Sequence, residues 1–143
     1  RTSMSTEAGM SFDGVRRVGQ IHVSVSDIDR SIAFYRDVLG ARFLFDVPGQ
    51  SMAFFDLDGV RLYLGTPESP EFRSTPLLYF SVEDVDEAYA TLRERGVEFV
   101  GAPHVVHRTA EAELWMAFFH DPDGTNLAIM AERPASDVRA PGR

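Results

Sequence analysis

Polar and apolar residues alternate along residues 20–26, which read Gln-Ile-His-Val-Ser-Val-Ser. This two-residue period is typical of a β-strand with one buried face. The period changes after Asp27, because apolar residues then recur three and four positions apart as far as Gly40. That spacing predicts an amphipathic helix that Asp27 caps at its start and Gly40 ends.

Three further strands are predicted after this helix, at about 41–47, 51–57 and 60–65. Pro48-Gly49 and Asp58-Gly59 lie between them, and both pairs are typical turn sequences. The first part of the chain therefore has the order strand, helix and three strands.

The same order recurs in the second half of the chain. Met-Ala-Phe-Phe occupies residues 52–55 and again residues 116–119. A strand at Leu77–Val82 precedes a helix that Asp84 caps and Gly96 ends, and strands follow near 97–100, 113–120 and 125–131. An identical string within matching elements indicates an internal duplication. The sequence thus predicts an α+β fold of two tandem βαβββ modules.

The two modules differ in length at one place. Residues 41–51 separate Gly40 from the first Met-Ala-Phe-Phe string, whereas residues 97–115 separate Gly96 from the second, so the second module carries eight extra residues. An insertion of this kind is tolerated in a surface loop. Two interpretations of residues 101–112 stay open, namely a lid over a binding site and a plain hairpin extension.

One domain is predicted over residues 16–133, with modules at about 18–66 and 76–133. Residues 1–15 are polar and aperiodic, which predicts a flexible arm whose first residues are a tag remnant. Residues 134–143 are predicted to form a disordered tail.

Composition narrows the classes of function. The 143 residues contain no Cys, and all 14 basic residues are Arg, which excludes thiolate and lysine Schiff-base catalysis. The net charge of −8 argues against nucleic acid and anionic membranes as partners. No apolar run approaches the roughly 20 residues that span a bilayer. We expect a cytoplasmic protein.

Two segments carry a resemblance to a known family. Residues 25–40 read Val-Ser-Asp-Ile-Asp-Arg-Ser-Ile-Ala-Phe-Tyr-Arg-Asp-Val-Leu-Gly, and residues 119–124 read Phe-His-Asp-Pro-Asp-Gly. Together with the duplication they resemble the vicinal oxygen chelate superfamily, which includes glyoxalase I, bleomycin-resistance proteins and extradiol dioxygenases. The resemblance implies that the modules curl into an open cup with the helices outside, and that the protein is a homodimer.

The same resemblance implies four positions for metal ligands, one on each of four strands. Here they hold Gln20, Tyr63, Leu77 and Ala128, where metal-using members typically carry His or Glu and sometimes Gln. A divalent cation needs at least three good donors, and an amide with a protonated phenol does not supply them. We therefore expect no metal and no other cofactor.

Strand alternation indicates which side chains face the cup. The predicted ligand-binding residues are Gln20, His22, Arg61, Tyr63, Leu77, Tyr79, Trp115 and Asn126. Aromatic walls with a few polar groups are typical of small-molecule sites. The leading hypothesis is metal-independent binding of an aromatic or amphipathic compound, of the bleomycin-resistance type.

The alternative hypothesis is an enzyme, either a metal-dependent or a proton-transfer lyase, isomerase or dioxygenase. His22 and Glu113 are its candidate catalytic residues, with the imidazole as acid or base and the carboxylate orienting it. The favoured interpretation of His22 is a histidine that is hydrogen-bonded to a neighbour or lies at a dimer contact. His104, His107 and His120 are interpreted as surface residues.

Overall fold

The predicted duplication is present in the computed structural model, which describes residues 11–135. The first module consists of β1 (Gln20–Ser24), helix α1 (Ile28–Ala33), β2 (Arg42–Val47), β3 (Met52–Leu57) and β4 (Val60–Gly65). The second consists of β5 (Leu78–Ser81), α2 (Val85–Glu94), β6 (His104–Arg108), β7 (Ala112–His120) and β8 (Asn126–Pro134). The predicted α+β fold of two βαβββ modules is confirmed.

Each module forms its own four-stranded mixed sheet. The strand orders are β1-β4-β3-β2 and β5-β8-β7-β6, with β1 parallel to β4 and β5 parallel to β8. The predicted Asp-Gly turn joins β3 to β4, and its residues have φ angles of 55° at Asp58 and 99° at Gly59. Two successive positive φ angles are the signature of a tight hairpin turn, which explains why glycine occupies the second position.

The helix-side faces of the two sheets contribute to one hydrophobic core. Val23, Phe55 and Leu62 enter it from the first sheet, and Phe119 and Leu127 from the second, all fully buried. The alternation predicted for β1, β4, β5 and β8 is therefore correct. The opposite faces of the two sheets do not contribute to this core.

The second strand of the second module lies elsewhere than predicted. No strand forms at 97–100; Val97 and Phe99 pack against the core from an irregular segment that Val100 ties to β7 through its N–H and the Phe118 carbonyl. The second strand of this module is β6, which pairs antiparallel with β7 as β2 pairs with β3. The segment 101–112 thus contains this strand and the turn that leads to β7.

The segment from the cap Asp27 to Gly40 contains one residue more than the matching segment from Asp84 to Gly96, and the structure shows where this residue is accommodated. Residues Phe34–Val38 form a π-helical turn that continues α1. Such a turn takes up a single inserted residue, which accounts for caps that are 57 residues apart and final glycines that are 56 apart.

The π turn carries Tyr35, which is fully buried. Its hydroxyl donates a hydrogen bond of 2.8 Å to Oδ2 of Asp121 in the second module. Burial and the nearby Asp121 carboxylate raise the pKa of the Tyr35 phenol, so the hydroxyl stays protonated and remains a donor. The hydrogen bond therefore joins the first helix to the turn before β8.

Part of the sequence prediction lies outside the described residues. The arm at 1–15 is described only from residue 11, and the tail at 134–143 only to residue 135, so both assignments and the domain limits stay predictions. Across residues 11–135, neither helix combines the length and the apolar character that crossing a membrane requires.

Candidate functional site

A row of aromatic side chains crosses the first sheet on the face opposite the core. The strand register places His22 on β1 beside Tyr63 on β4, then Phe54 on β3 and Phe45 on β2. The ring centroids are 4.6 Å apart for His22 and Tyr63, 5.0 Å for Tyr63 and Phe54, and 4.8 Å for Phe54 and Phe45. Tyr63 and Phe54 are nearly parallel, with an angle of 12° between their planes. Such spacings are favourable for aromatic packing.

Gly65 allows Tyr63 to lie flat against the strand. A Cβ atom at position 65 would lie 2.8 Å from Cε1 and 2.9 Å from the hydroxyl oxygen of Tyr63. Any other residue at this position would displace the ring. The guanidinium of Arg61, a predicted binding residue, lies 5.7 Å from the centroid of the Phe54 ring and adds a cationic group to the row.

A cavity of about 560 Å³ lies over the His22 end of the row. Gln20, His22 and Tyr63 form its floor, and the segment 66–74 between the modules forms its other side. Two hydrogen bonds hold this segment against β1: the Ser24 N–H donates to the Ser74 carbonyl, and the Ser74 N–H donates to the Ser24 hydroxyl, both at 2.7 Å. The volume is in the range of sites for small organic molecules.

The segment 66–74 was not among the predicted site residues. It contains a 3-10 turn, Pro70–Phe72, which places the largely exposed Phe72 at the edge of the cavity. Glu68, Glu71 and Arg73 add charged groups to the same wall. The cavity therefore combines an aromatic floor with a polar rim.

His22 is half-buried in this cavity, and its position is where alternation predicted it. Burial lowers the pKa of the imidazole, and a hydrogen bond with the Gly65 backbone offsets this only in part. The ring is therefore neutral at pH 7 and can both donate and accept a hydrogen bond.

The predicted binding residues of the second module do not line this cavity. Leu77 lies just before β5 and is 42% exposed, and Tyr79 is 45% exposed with its ring 6.2 Å from that of Phe118. Asn126 is exposed at the start of β8, beside His120 in the register. The cavity over His22 is thus built from the first module and the connecting segment alone.

Glu113 and Trp115 lie on the opposite face from the one predicted. Both share the face of β7 that carries Ala117 and Phe119 into the core. Glu113 is only 2% exposed, and its carboxylate accepts hydrogen bonds from Nε of Arg108 at 2.6 Å and from Nε1 of Trp115 at 3.0 Å. The Arg108 bond lowers the pKa of Glu113, so the carboxylate is ionised.

This arrangement makes Glu113 a structural partner of Arg108. The carboxylate is on the second sheet and its oxygens are committed to Arg108 and Trp115, so it does not orient His22 as predicted. Arg133 completes the cluster, because its guanidinium lies 4.3 Å from the Trp115 ring and bonds Asp86 of α2. Arg133 on β8 therefore links Trp115 on β7 to Asp86 on the second helix.

The four positions at which the superfamily carries metal ligands do not fit a divalent cation in this chain. Gln20 is exposed on β1 and Leu77 has no donor atom, while Ala128 is fully buried on β8. The Tyr63 ring packs between His22 and Phe54 in the aromatic row. Within residues 11–135, no group of three or more His, Asp or Glu side chains has the arrangement of a metal site.

The sequence profile of the Glyoxalase/Bleomycin resistance protein/Dioxygenase superfamily matches residues 17–129. The chain belongs to this superfamily. Among superfamily relatives, a metallothiol transferase FosB from Staphylococcus epidermidis is 36% identical over 121 residues, which cover 80% of this chain and 83% of that protein. The Bacillus subtilis protein YraH is 32% identical over 123 residues, covering 77% of this chain and 94% of the relative.

Solved superfamily structures agree with the fold. The antibiotic-binding protein TnmS3 from Streptomyces sp. CB03234 superposes with a TM-score of 0.67 at 26% identity, over 85% of this chain and all of that one. A superfamily member from Sphaerobacter thermophilus gives a TM-score of 0.65 at 28% identity, over 82% of this chain and 98% of its own. The resemblance drawn from the sequence is confirmed.

Proposed function

We propose that this protein binds a small aromatic or amphipathic molecule, without a metal ion, in the cavity over His22. The observation that carries the proposal is the aromatic row across the first sheet, whose Tyr63 ring forms part of the cavity floor. A flat apolar ligand stacks on such a ring, while Gln20 and the neutral His22 fix its orientation through hydrogen bonds. The similarity to an antibiotic-binding protein supports this type of function.

Metal independence is proposed from the chemistry of the four ligand positions. The names of some relatives refer to a metal or to a dioxygenase, namely the metallothiol transferases and a catechol-2,3-dioxygenase from Bacillus subtilis. Leu77 and Ala128 lack any donor atom, and the two remaining positions offer only neutral oxygens. These groups cannot replace the hydration shell of a dication.

We further propose that the protein acts as a homodimer. Phe45, Leu77 and Tyr79 are 46%, 42% and 45% exposed, although each lies in or beside a strand. A second copy would cover this apolar surface. Sedimentation equilibrium tests this, because a monomer at micromolar concentration would contradict it.

The function is tested by a thermal-shift screen of flat aromatic compounds, followed by calorimetric titration of each hit. Tyr63→Leu keeps apolar bulk but removes the stacking surface, so we expect about a tenfold loss of affinity, equivalent to one aromatic contact. Tyr63→Phe keeps the ring and serves as the matched control, as does Phe12→Ala on an exposed side chain outside the cavity.

Two outcomes would contradict the proposal. Equal affinity in Tyr63→Leu and the wild type would remove the aromatic row from binding. Stoichiometric Zn, Mn, Ni or Fe in protein purified without chelator would overturn metal independence.

A proton-transfer enzyme is the second candidate function. It is favoured by the neutral imidazole of His22, which faces the cavity and can accept a proton from a bound substrate. Full turnover of a substrate by His22→Gln would exclude His22 from such a mechanism.

A further inference from the structure

A second cavity, of about 440 Å³, lies between the two modules. Leu39, Ala41 and Leu57 line it from the first module, and Phe80, Leu92 and Ile129 from the second. It shares no lining residue with the cavity over His22. We refer to it as the inter-module crevice.

The internal duplication explains why this space is open. Tyr35 corresponds to Leu92, because each follows its helix cap by eight residues, and Asp121 corresponds to Leu57 at the end of the matching strand. At the junction of α1 with the second module, the Tyr35 hydroxyl and the Asp121 carboxylate meet at 2.8 Å and fill the space. At the matching junction, two shorter leucine side chains leave the crevice.

The charges at the two junctions also differ. At the first, Nη2 of Arg30 lies 3.1 Å from the Ser26 hydroxyl and 3.3 Å from an oxygen of Asp123. By the same correspondence, Arg30 is replaced by Glu87 and Ser26 by Glu83, and both of these line the crevice. The cation that one junction contains is therefore replaced by a carboxylate at the other.

The carboxylates at the crevice are not neutralised by other described residues. Glu83 and Glu87 are exposed, and neither forms an ion pair within residues 11–135. Asp84 also lines the crevice, but its carboxylate caps α2 through the N–H groups of Asp86 and Glu87. Arg95 is the basic residue of the lining, and its Nη1 donates to the Val38 carbonyl at 2.8 Å.

We propose that the inter-module crevice is a second binding site, and that it takes a small amphipathic cation. An apolar body would pack against Leu57, Leu92 and Ile129, and a protonated amine would form charge-assisted hydrogen bonds with Glu83 and Glu87. The ligand thus supplies at this junction the apolar bulk and the positive charge that Tyr35 and Arg30 supply at the other.

The test compares 2-phenylethylamine with 2-phenylethanol, which share an apolar body but differ in charge. Titration of ¹⁵N-labelled protein, followed by amide chemical shifts, should give saturable shifts in residues 80–92 for the amine. We expect the alcohol to bind about tenfold more weakly, the equivalent of one charge-assisted contact.

Two substitutions restore the residues of the first junction. Glu87→Arg should weaken binding of the amine about tenfold, and Leu92→Tyr should abolish it by filling the crevice. Glu94→Arg makes the same charge change at an exposed residue of α2 outside the lining, so it should change affinity less than about twofold. Since Glu87 is exposed, Glu87→Arg provides the decisive comparison even where Leu92→Tyr impairs folding.

Several results would overturn the proposal. These results are equal affinity of the amine and the alcohol, equal effects of Glu87→Arg and Glu94→Arg, and amide shifts that map to the His22 cavity. Absence of saturable shifts up to about 10 mM probe, well above a dissociation constant of about 1 mM, would do the same.

Discussion

Replacing Tyr35 with Phe tests whether the buried hydrogen bond between the modules contributes to stability. The substitution removes only the hydroxyl that donates to Oδ2 of Asp121 at 2.8 Å. The other oxygen, Oδ1, already accepts the N–H groups of Asp123 and Thr125, each at 2.9 Å. Within the described residues, Oδ2 would therefore lose its donor while remaining buried.

The expected cost follows from the charge and the burial of the acceptor. A hydrogen bond to a charged group contributes about 1.5–3 kcal/mol to folding, so we expect the free energy of unfolding to fall by about 2 kcal/mol. For a domain of this size, that corresponds to a decrease in melting temperature of roughly 6–10 °C.

Urea denaturation and calorimetry of the purified variant measure both quantities. Tyr89→Phe is the matched control, because the Tyr89 hydroxyl forms no hydrogen bond with any described residue. A loss below about 0.5 kcal/mol, typical of surface substitutions, would refute the reasoning. Equal losses in the two variants would assign the effect to the phenol in general rather than to the contact with Asp121.

Two further predictions concern the His22 cavity. In Gly65→Ala, the new Cβ collides with the Tyr63 ring. Affinity for a stacked aromatic ligand should therefore fall about tenfold, while the free energy of unfolding in urea changes little. Unchanged affinity would contradict the proposal that Tyr63 forms the floor of the binding cavity. Because the pKa of His22 is lowered in the folded protein, protonation favours unfolding, so stability should be constant above about pH 6.5 and fall as the pH decreases towards the folded pKa. His22→Gln should lose this component in urea titrations across that range, and an identical pH profile in the variant would be the contrary result.

Regular alternation made some side-chain directions predictable and left others open. On β1, only one face carries apolar residues, so the direction of His22 followed from the sequence. On β7 both faces are apolar, because Leu114 and Met116 alternate with Trp115 and Ala117. No contrast between the faces distinguished them, and Glu113 was therefore assigned to the wrong side of the sheet.

The remaining differences arise from contacts that a sequence pattern does not record. Val97 and Phe99 have strand-like spacing, yet they pack on the core without pairing to a strand. The segment 66–74 has no periodicity, and its position over His22 depends on the two hydrogen bonds between Ser24 and Ser74. The unequal spacing of caps and glycines was the one visible sign of the π turn.

The π turn has a consequence for the history of the duplication. A protein built from two copies of the first half would bury a phenol at both junctions, but it would place Leu57 where each phenol requires an acid. A protein built from two copies of the second half would have the acid at both junctions without the phenol. The halves have consequently ceased to be interchangeable, and a tyrosine and an aspartate 86 residues apart must now be inherited as a pair.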